Sequence, residues 1–416
     1  MKRIIIPLFL LILLSCSDRD KDNPFDPTGD EPVILGARSI NKSIELSWGQ
    51  PDLVDYTGFN LYRKEEGAEQ FFTRIAELLP VSRTYTDTTV EYGSTYIYFI
   101  KLASGNLESR PSREVSVTPG PGFNWIVDHD AFQILKTSYD LSYKFLVYDT
   151  YPGMPTDMAV STSLETGVIL FNRSGMIQEI DFSGNLKSQY DEIRYPYAVA
   201  YDPVGSLFWI VDSSGFLYTL DTQADDINYV YISFSKPISI HIAPEKNLIS
   251  VVDAGEKEIV QFNRSGNLIN KITLINGKPL EGPYRYIIDE KHDRSWLVDG
   301  NMEYDYIYTK SSEDEEYFLA DSVLNAGDIE VSPSGEQAWY VSFNRRESIV
   351  LQLSAEGTRQ LKLSHFFNPY DIHVNPYDGS LRVVDSRNGR VLDYNNSNRI
   401  IGEMVNLSFP VKVLVQ

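Results

Sequence analysis

One short motif recurs through the C-terminal part of the chain and narrows the folds open to it. Phe208-Trp209-Ile210-Val211-Asp212 is echoed by Asn124-Trp125-Ile126-Val127-Asp128, Ser250-Val251-Val252-Asp253 and Ser295-Trp296-Leu297-Val298-Asp299. Further copies are Ala338-Trp339-Tyr340-Val341-Ser342 and Leu381-Arg382-Val383-Val384-Asp385, with a degenerate one at Val168-Ile169-Leu170-Phe171-Asn172. The closing polar positions are 128, 172, 212, 253, 299, 342 and 385, at intervals of 44, 40, 41, 46, 43 and 43 residues. Four of the chain's five Trp stand three residues before that polar position. A fixed period in this range is the signature of a repeat architecture, in which one supersecondary unit buries its face only by stacking on the next.

A second marker precedes the first. Pro196-Tyr197-Ala198-Val199-Ala200-Tyr201-Asp202-Pro203 matches Pro237-Ile238-Ser239-Ile240-His241-Ile242-Ala243-Pro244 and Pro369-Tyr370-Asp371-Ile372-His373-Val374-Asn375-Pro376. Weaker copies start near Pro155, Pro283 and Gly327. Each unit therefore reads as four short strands separated by turns, which is a propeller blade. Seven polar marks favour seven blades, with six or eight as alternatives. The chain ends on Pro410-Val411-Lys412-Val413-Leu414-Val415, a first strand with no repeat after it. Pairing it with the orphan strands at 123–149 would close the ring and bury both end edges. The units resemble NHL repeats, most closely at Val260-Gln261-Phe262-Asn263-Arg264-Ser265-Gly266-Asn267.

Residues 32–119 carry a different pattern. Ser43-Ile44-Glu45-Leu46-Ser47-Trp48 alternates polar and apolar residues as a half-buried strand does. Gly58–Arg63, Tyr85–Asp87, Tyr96–Lys101 and Ser112–Thr118 read as further strands, which together suit a sandwich. Trp48 on the second strand, Tyr62 on the third and Tyr96 after a Gly-Ser-Thr turn make the segment resemble a fibronectin type III module. That resemblance implies a spacer or docking role, with Trp48 and Tyr96 in the core. The fold expected for the chain is thus all-β, a fibronectin type III-like sandwich followed by a propeller closed by its C-terminal strand.

The N-terminus reads as an address. Met1-Lys2-Arg3 precedes an apolar run from Ile4 to Leu14, too short to cross a bilayer and suited to a signal peptide. It ends in Leu13-Leu14-Ser15-Cys16, which resembles the bacterial lipobox. The resemblance implies cleavage before Cys16 and acylation of that Cys, the only one in the chain. Two or three acyl chains anchor firmly where one does not. Residues 1–15 would then be the signal peptide and 16–31, acidic and bearing two Pro, a tether. By resemblance to enteric sorting rules, Ser17 in place of Asp after the Cys implies the outer membrane of a bacterial envelope.

Composition removes several functions. A net charge of −21 argues against nucleic acid as a partner. With one Cys and five His there is no intramolecular disulfide and little material for zinc, so no metal and no cofactor are expected. No Gly-x-Ser-x-Gly elbow, phosphate loop or His-Glu-x-x-His appears. The recurrent Asp (128, 212, 253, 299 and 385) is expected to accept N–H bonds from the turn that follows it. His241, Glu330 and His373 fall at one position of three innermost strands, so a polar cluster near the axis is conceivable, as is hydrogen bonding to neighbouring blades. No catalytic residue is assigned. The function expected is a lipid-anchored binding or scaffold protein whose propeller offers a rigid surface to a protein, peptide or glycan. The alternative is a propeller enzyme of lyase or lactonase type acting on a small molecule at the channel mouth.

Overall fold

The computed structural model describes residue 25 and residues 33–40, 43–49, 56–67, 71–91, 94–120, 122–301, 304–343 and 348–416. Cys16 and the signal and tether segments expected around it lie outside the described residues. The chain divides into two compact units, with the main change at Val117/Thr118. Every extended element among the described residues is a strand, and no helix there is long and apolar enough to cross a membrane.

The first unit is a pair of antiparallel sheets. One joins Leu35–Ile40, Ser43–Trp48 and Thr84–Asp87. The other is built on Gly58–Glu65 and Tyr96–Ser104, flanked by Thr73–Leu78, Leu107–Glu108 and Val115–Val117. Period-two alternation turns Ile44, Leu46 and Trp48 inward against Phe59, Leu61, Tyr98 and Ile100, all buried. The Trp48 and Phe59 rings meet at 5.4 Å. Asp87 joins the sheets, accepting from Tyr98 Oη at 3.0 Å and from Arg63 Nη1 at 2.6 Å. Burial opposes its charge, but the bonds from Thr89 and Arg63 outweigh burial and hold the carboxyl below its usual range.

The expected strand over 112–118 is shorter, Val115–Val117. Pro111 supplies no N–H, and two serines take over the pairing. Ser109 and Ser112 hydroxyls accept from the N–H groups of Leu102 and Ile100 at 2.8 and 3.1 Å.

The second unit holds, among the described residues, seven four-stranded antiparallel sheets and one two-stranded hairpin. Six sheets run in chain order from innermost to outermost strand. Their innermost strands are Asp157–Ser161, Pro196–Asp202, Pro237–Ala243, Pro283–Asp289, Ala326–Val331 and Pro369–Val374, in sheets 2 to 7. Sheet 1 is closed by the end of the chain, because Pro410–Val415 pairs with Asn124–Asp128. The innermost strands pack side by side in order, and Pro410–Val415 lies between Pro369–Val374 and Asp157–Ser161. The all-β, ring-closed propeller expected from the repeats is therefore present.

The recurring motif is the second strand of each sheet. It is covered on both faces, and so it reads as a nearly unbroken apolar run. Trp209 and Val211 pack on Ile249, Val251 and Phe262 between sheets 3 and 4. Trp125 meets Met158 and Ile169 between sheets 1 and 2, and Trp339 meets Ile372 and Val383 between sheets 6 and 7. The closure has its own polar lock. Arg382 and Asp393 form a fully buried ion pair at 2.9 Å, and Arg382 also donates through Nε to Asn124 Oδ1 at 3.0 Å and through Nη2 to the Tyr139 carbonyl at 3.1 Å.

Candidate functional site

The innermost strands begin together at one end of the channel, and most begin with Pro. Pro cannot donate to the ladder, so it suits a first position. Directly after it the register slips by one residue, as between Pro196 and Ala198, Pro283 and Arg285, and Pro369 and Asp371. Such a bulge leaves one residue unpaired and re-aims its side chain. In sheets 3, 5 and 7 that residue is Tyr197, Tyr284 or Tyr370, exposed by 44%, 38% and 46%. Partial burial raises the phenol pKa of Tyr197 and Tyr370, and the neighbouring tyrosines raise it further, Tyr284 acting on both and Tyr197 on Tyr370. Tyr197, Tyr284 and Tyr370 thus stand at corresponding positions where three innermost strands begin, near enough to influence one another. Arg285 lies 4.8 Å from the Tyr284 ring, and Phe409 borders Tyr370 at 6.5 Å.

A charged layer lies one step further in. Lys412 pairs with Asp157 at 2.6 Å, and Arg285 pairs with Asp328 at 2.9 Å. Asp157 and Asp371 also reach the next sheet, accepting from Val199 and Val413 N–H groups, each at 2.9 Å. Burial, then the adjacent Asp328, pushes the Asp371 carboxyl well up. Burial opposes the charges of Arg285 and Lys412, but their carboxylate partners outweigh it and raise both. The layer is therefore balanced internally.

The three residues singled out by position lie deeper still. His241 Nε2 accepts the Ile288 N–H at 3.1 Å, so it bridges sheets 4 and 5. Burial lowers its pKa to about 4, which keeps it neutral and able to accept. Glu330 and His373 stand on the adjacent innermost strands of sheets 6 and 7. Burial, then Asp328 and Asp371, pushes Glu330 well up. Burial, then Arg382 and Lys412, lowers His373 to about 4. Among the described residues no three His, Cys, Asp or Glu side chains are grouped to hold a metal ion.

The recurrent Asp residues do accept backbone N–H groups, but mostly from another place than expected. Asp128 accepts from Ser408 and Phe409 at 2.8 Å each, Asp385 from Phe367 and Asn368 at 2.9 Å each, and Asp299 from Gly282 at 2.8 Å. These N–H groups belong to the loop that enters the innermost strand of the same sheet. Antiparallel pairing sets that loop beside the end of the second strand. Asp253 uses both this loop and the following turn, and Asp212 uses the following turn.

Sequence reasoning missed the tyrosine patch and the charged layer. The Pro-Tyr pairs at 196–197, 283–284 and 369–370 were the available signal.

No family model matches the chain, and no curated protein matches it in sequence. Its backbone is similar to that of a protein of unknown function from Desulfotomaculum acetoxidans, at 13% identity and a TM-score of 0.57, covering 71% of this chain and 98% of that one. It is also similar to the periplasmic gluconolactonase of Pseudomonas aeruginosa, at 13% identity and a TM-score of 0.55, covering 71% and 99%. These likenesses place the fold among the β-propellers.

Proposed function

We propose that this protein is a non-enzymatic binding module of a bacterial cell envelope, whose channel mouth recognises a glycan or a polar peptide segment of a partner. Cys16 holds it to the membrane, with the outer membrane favoured. The sandwich acts as a fibronectin type III-like spacer, and the NHL-like propeller presents the site. One observation carries this reading: Tyr197, Tyr284 and Tyr370, each partly exposed, stand at corresponding positions where three innermost strands begin at one mouth of the ring. Tyrosine supplies contact area and a hydrogen-bonding tip at low entropic cost. The charges beneath are already paired. An uncharged face therefore suits the mouth better than an ion, and the C–H face of a sugar packs well on a phenol ring.

The test is binding of the full-length protein in detergent to glycan and peptide arrays, with each hit titrated by calorimetry. Replacing Tyr197, Tyr284 and Tyr370 together by Ala is expected to weaken a true ligand by roughly a hundredfold, at more than 1 kcal/mol for each of the two best anchors. Unchanged affinity in the triple variant, or no hit on either array, would overturn the reading.

A second reading draws on Asp371, whose carboxyl burial and the adjacent Asp328 push well up beneath the same mouth. A carboxyl raised in this way suits general acid–base hydrolysis of a small molecule, and one structural neighbour is a gluconolactonase. Acid release from glucono-δ-lactone by the wild type, abolished in Asp371→Asn, would favour it over binding alone.

A further inference from the structure

A cavity of about 420 Å³ lies between sheets 6 and 7, toward the end of the ring where the innermost strands finish. Tyr197, Tyr284 and Tyr370 stand where such strands begin, so the two places are separate. The volume falls in the range of small-molecule sites. Strand register decides which side chains reach it. Trp339 faces sheet 7, where it packs on Ile372 and Val383. Gln337 lies two residues before Trp339 on the same strand, and Gln352 is paired with Trp339 on the next, so both share its face. All three line the cavity. Opposite them, Leu381 belongs to the apolar face that sheet 7 turns toward sheet 6, and Asn396 comes from the turn before the outermost strand of sheet 7.

The lining carries one cation, Lys291, and one carboxylate, Asp378, so it has no net charge. Both are engaged by the protein. Lys291 Nζ donates to the Pro333 carbonyl at 3.3 Å, and Asp378 accepts from Tyr139 Oη and, at 2.9 Å, from the Ser380 N–H. The amides are not fully engaged. Gln352 is 6% exposed, and its Nε2 donates to Gln337 Oε1 at 2.7 Å. Gln352 Oε1 and Gln337 Nε2 then have no partner among the described residues. The matching residue of sheet 4, Gln261, has both ends taken: its Nε2 donates to Ser250 Oγ and its Oε1 accepts from Asn270 Nδ2, each at 3.2 Å. A buried amide left with an open end costs stability unless something meets it.

The two glutamines thus offer one acceptor and one donor side by side, and turning both amides over leaves the same offer. Two adjacent hydroxyls match it, since each can donate and accept. We infer that this inter-sheet cavity is a binding site for a neutral mono- or disaccharide, two adjacent hydroxyls held by Gln337 and Gln352, with Trp339 as the apolar wall. The ligand is a free small molecule, independent of the partner proposed at the channel mouth.

The test is calorimetry on the full-length protein, in a detergent with no sugar headgroup, with D-glucose, D-galactose, D-mannose, maltose and cellobiose as probes. At least one should bind with a Kd of about 1 mM or tighter. The fully O-methylated form of that sugar keeps the ring and loses every donor, and should bind at least about tenfold more weakly. Gln337→Leu and, separately, Gln352→Leu should each weaken binding by roughly tenfold. Replacing Tyr197, Tyr284 and Tyr370 together by Ala should leave it unchanged, which separates this site from the one proposed above. Thermal melting of each variant identifies any that fails to fold. Asn396→Trp, on an exposed turn, should block the cavity and carries the test if the glutamine variants do not fold. Binding of none of the five probes, equal binding of the methylated sugar, loss of binding in the tyrosine variant alone, or unchanged affinity in every folded cavity variant would overturn the inference.

Discussion

Lowering the pH should destabilise the propeller through two partly buried histidines, and one substitution should isolate the effect. His241 and His373 are held neutral, with folded pKa values of about 4 against an ordinary 6.5. Near neutrality both are uncharged whether the chain is folded or not. As pH falls through 6.5 the unfolded chain binds protons that the folded chain refuses, so stability is lost down to about pH 4. At pH 5 the loss is about 2 kcal/mol for each histidine. Asp393 acts in the opposite direction. Burial, only partly offset by Arg382, raises its pKa from 3.8 to about 7. The folded state then keeps a proton that the unfolded state releases, which adds about 2.5 kcal/mol on going from pH 7.5 to 5. The wild type should thus lose only about 1.4 kcal/mol between pH 7.5 and 5 from these three groups, because they partly offset one another. His241→Gln removes one side of that balance while keeping an acceptor for the Ile288 N–H. Urea denaturation at both pH values should show the variant gaining stability at pH 5 relative to pH 7.5, by about 2 kcal/mol more than the wild type. An identical pH response in variant and wild type would refute the assignment of His241 as a neutral acceptor.

Asp128→Ala leaves the N–H groups of Ser408 and Phe409 without their acceptor at the ring closure. It should cost about 2–4 kcal/mol in urea denaturation, more than an exposed Asp→Ala change would. Deleting residues 410–416 removes the innermost strand of sheet 1. Amide protons of Asn124–Asp128 and Asp157–Ser161 should then lose hydrogen-exchange protection, and retained protection would count against closure by that strand. Cys16→Ser should move the protein from the membrane to the soluble fraction of fractionated cells, whereas undiminished membrane retention would remove the lipid anchor from the account.

The ring was legible because its demands are local and repeated. A strand covered on both faces needs an apolar run, and the gap between sheets needs a large ring at the same place, hence Trp125, Trp209, Trp296 and Trp339. The terminal strand announced itself as a first strand lacking a partner. Features that depend on spatial neighbours were harder to see. Lys412 finds Asp157 only once the two ends of the unit have met. Asp128 was read against the turn next to it in sequence, although the loop entering Pro410–Val415 is next to it in space. The Pro-Tyr pairs were visible as repeat markers, but their exposure follows from the register slip after Pro, which no composition rule signals. His241 and His373 share a strand position, but His241 turned to the neighbouring sheet and not to a common centre. In the sandwich, the strand expected over 112–118 is confined to Val115–Val117, and the Ser112 hydroxyl takes the Ile100 N–H.

The most direct test of recognition at the channel mouth is site-specific photo-crosslinking in native cells. A benzophenone amino acid replaces Tyr284 in the full-length protein, and a control carries it at Asn396, which lines a separate cavity between sheets 6 and 7. The account expects one discrete adduct from position 284, absent from position 396 and lost when Tyr197 and Tyr370 are also replaced by Ala. No adduct at 284, or the same adduct from both positions, would contradict it.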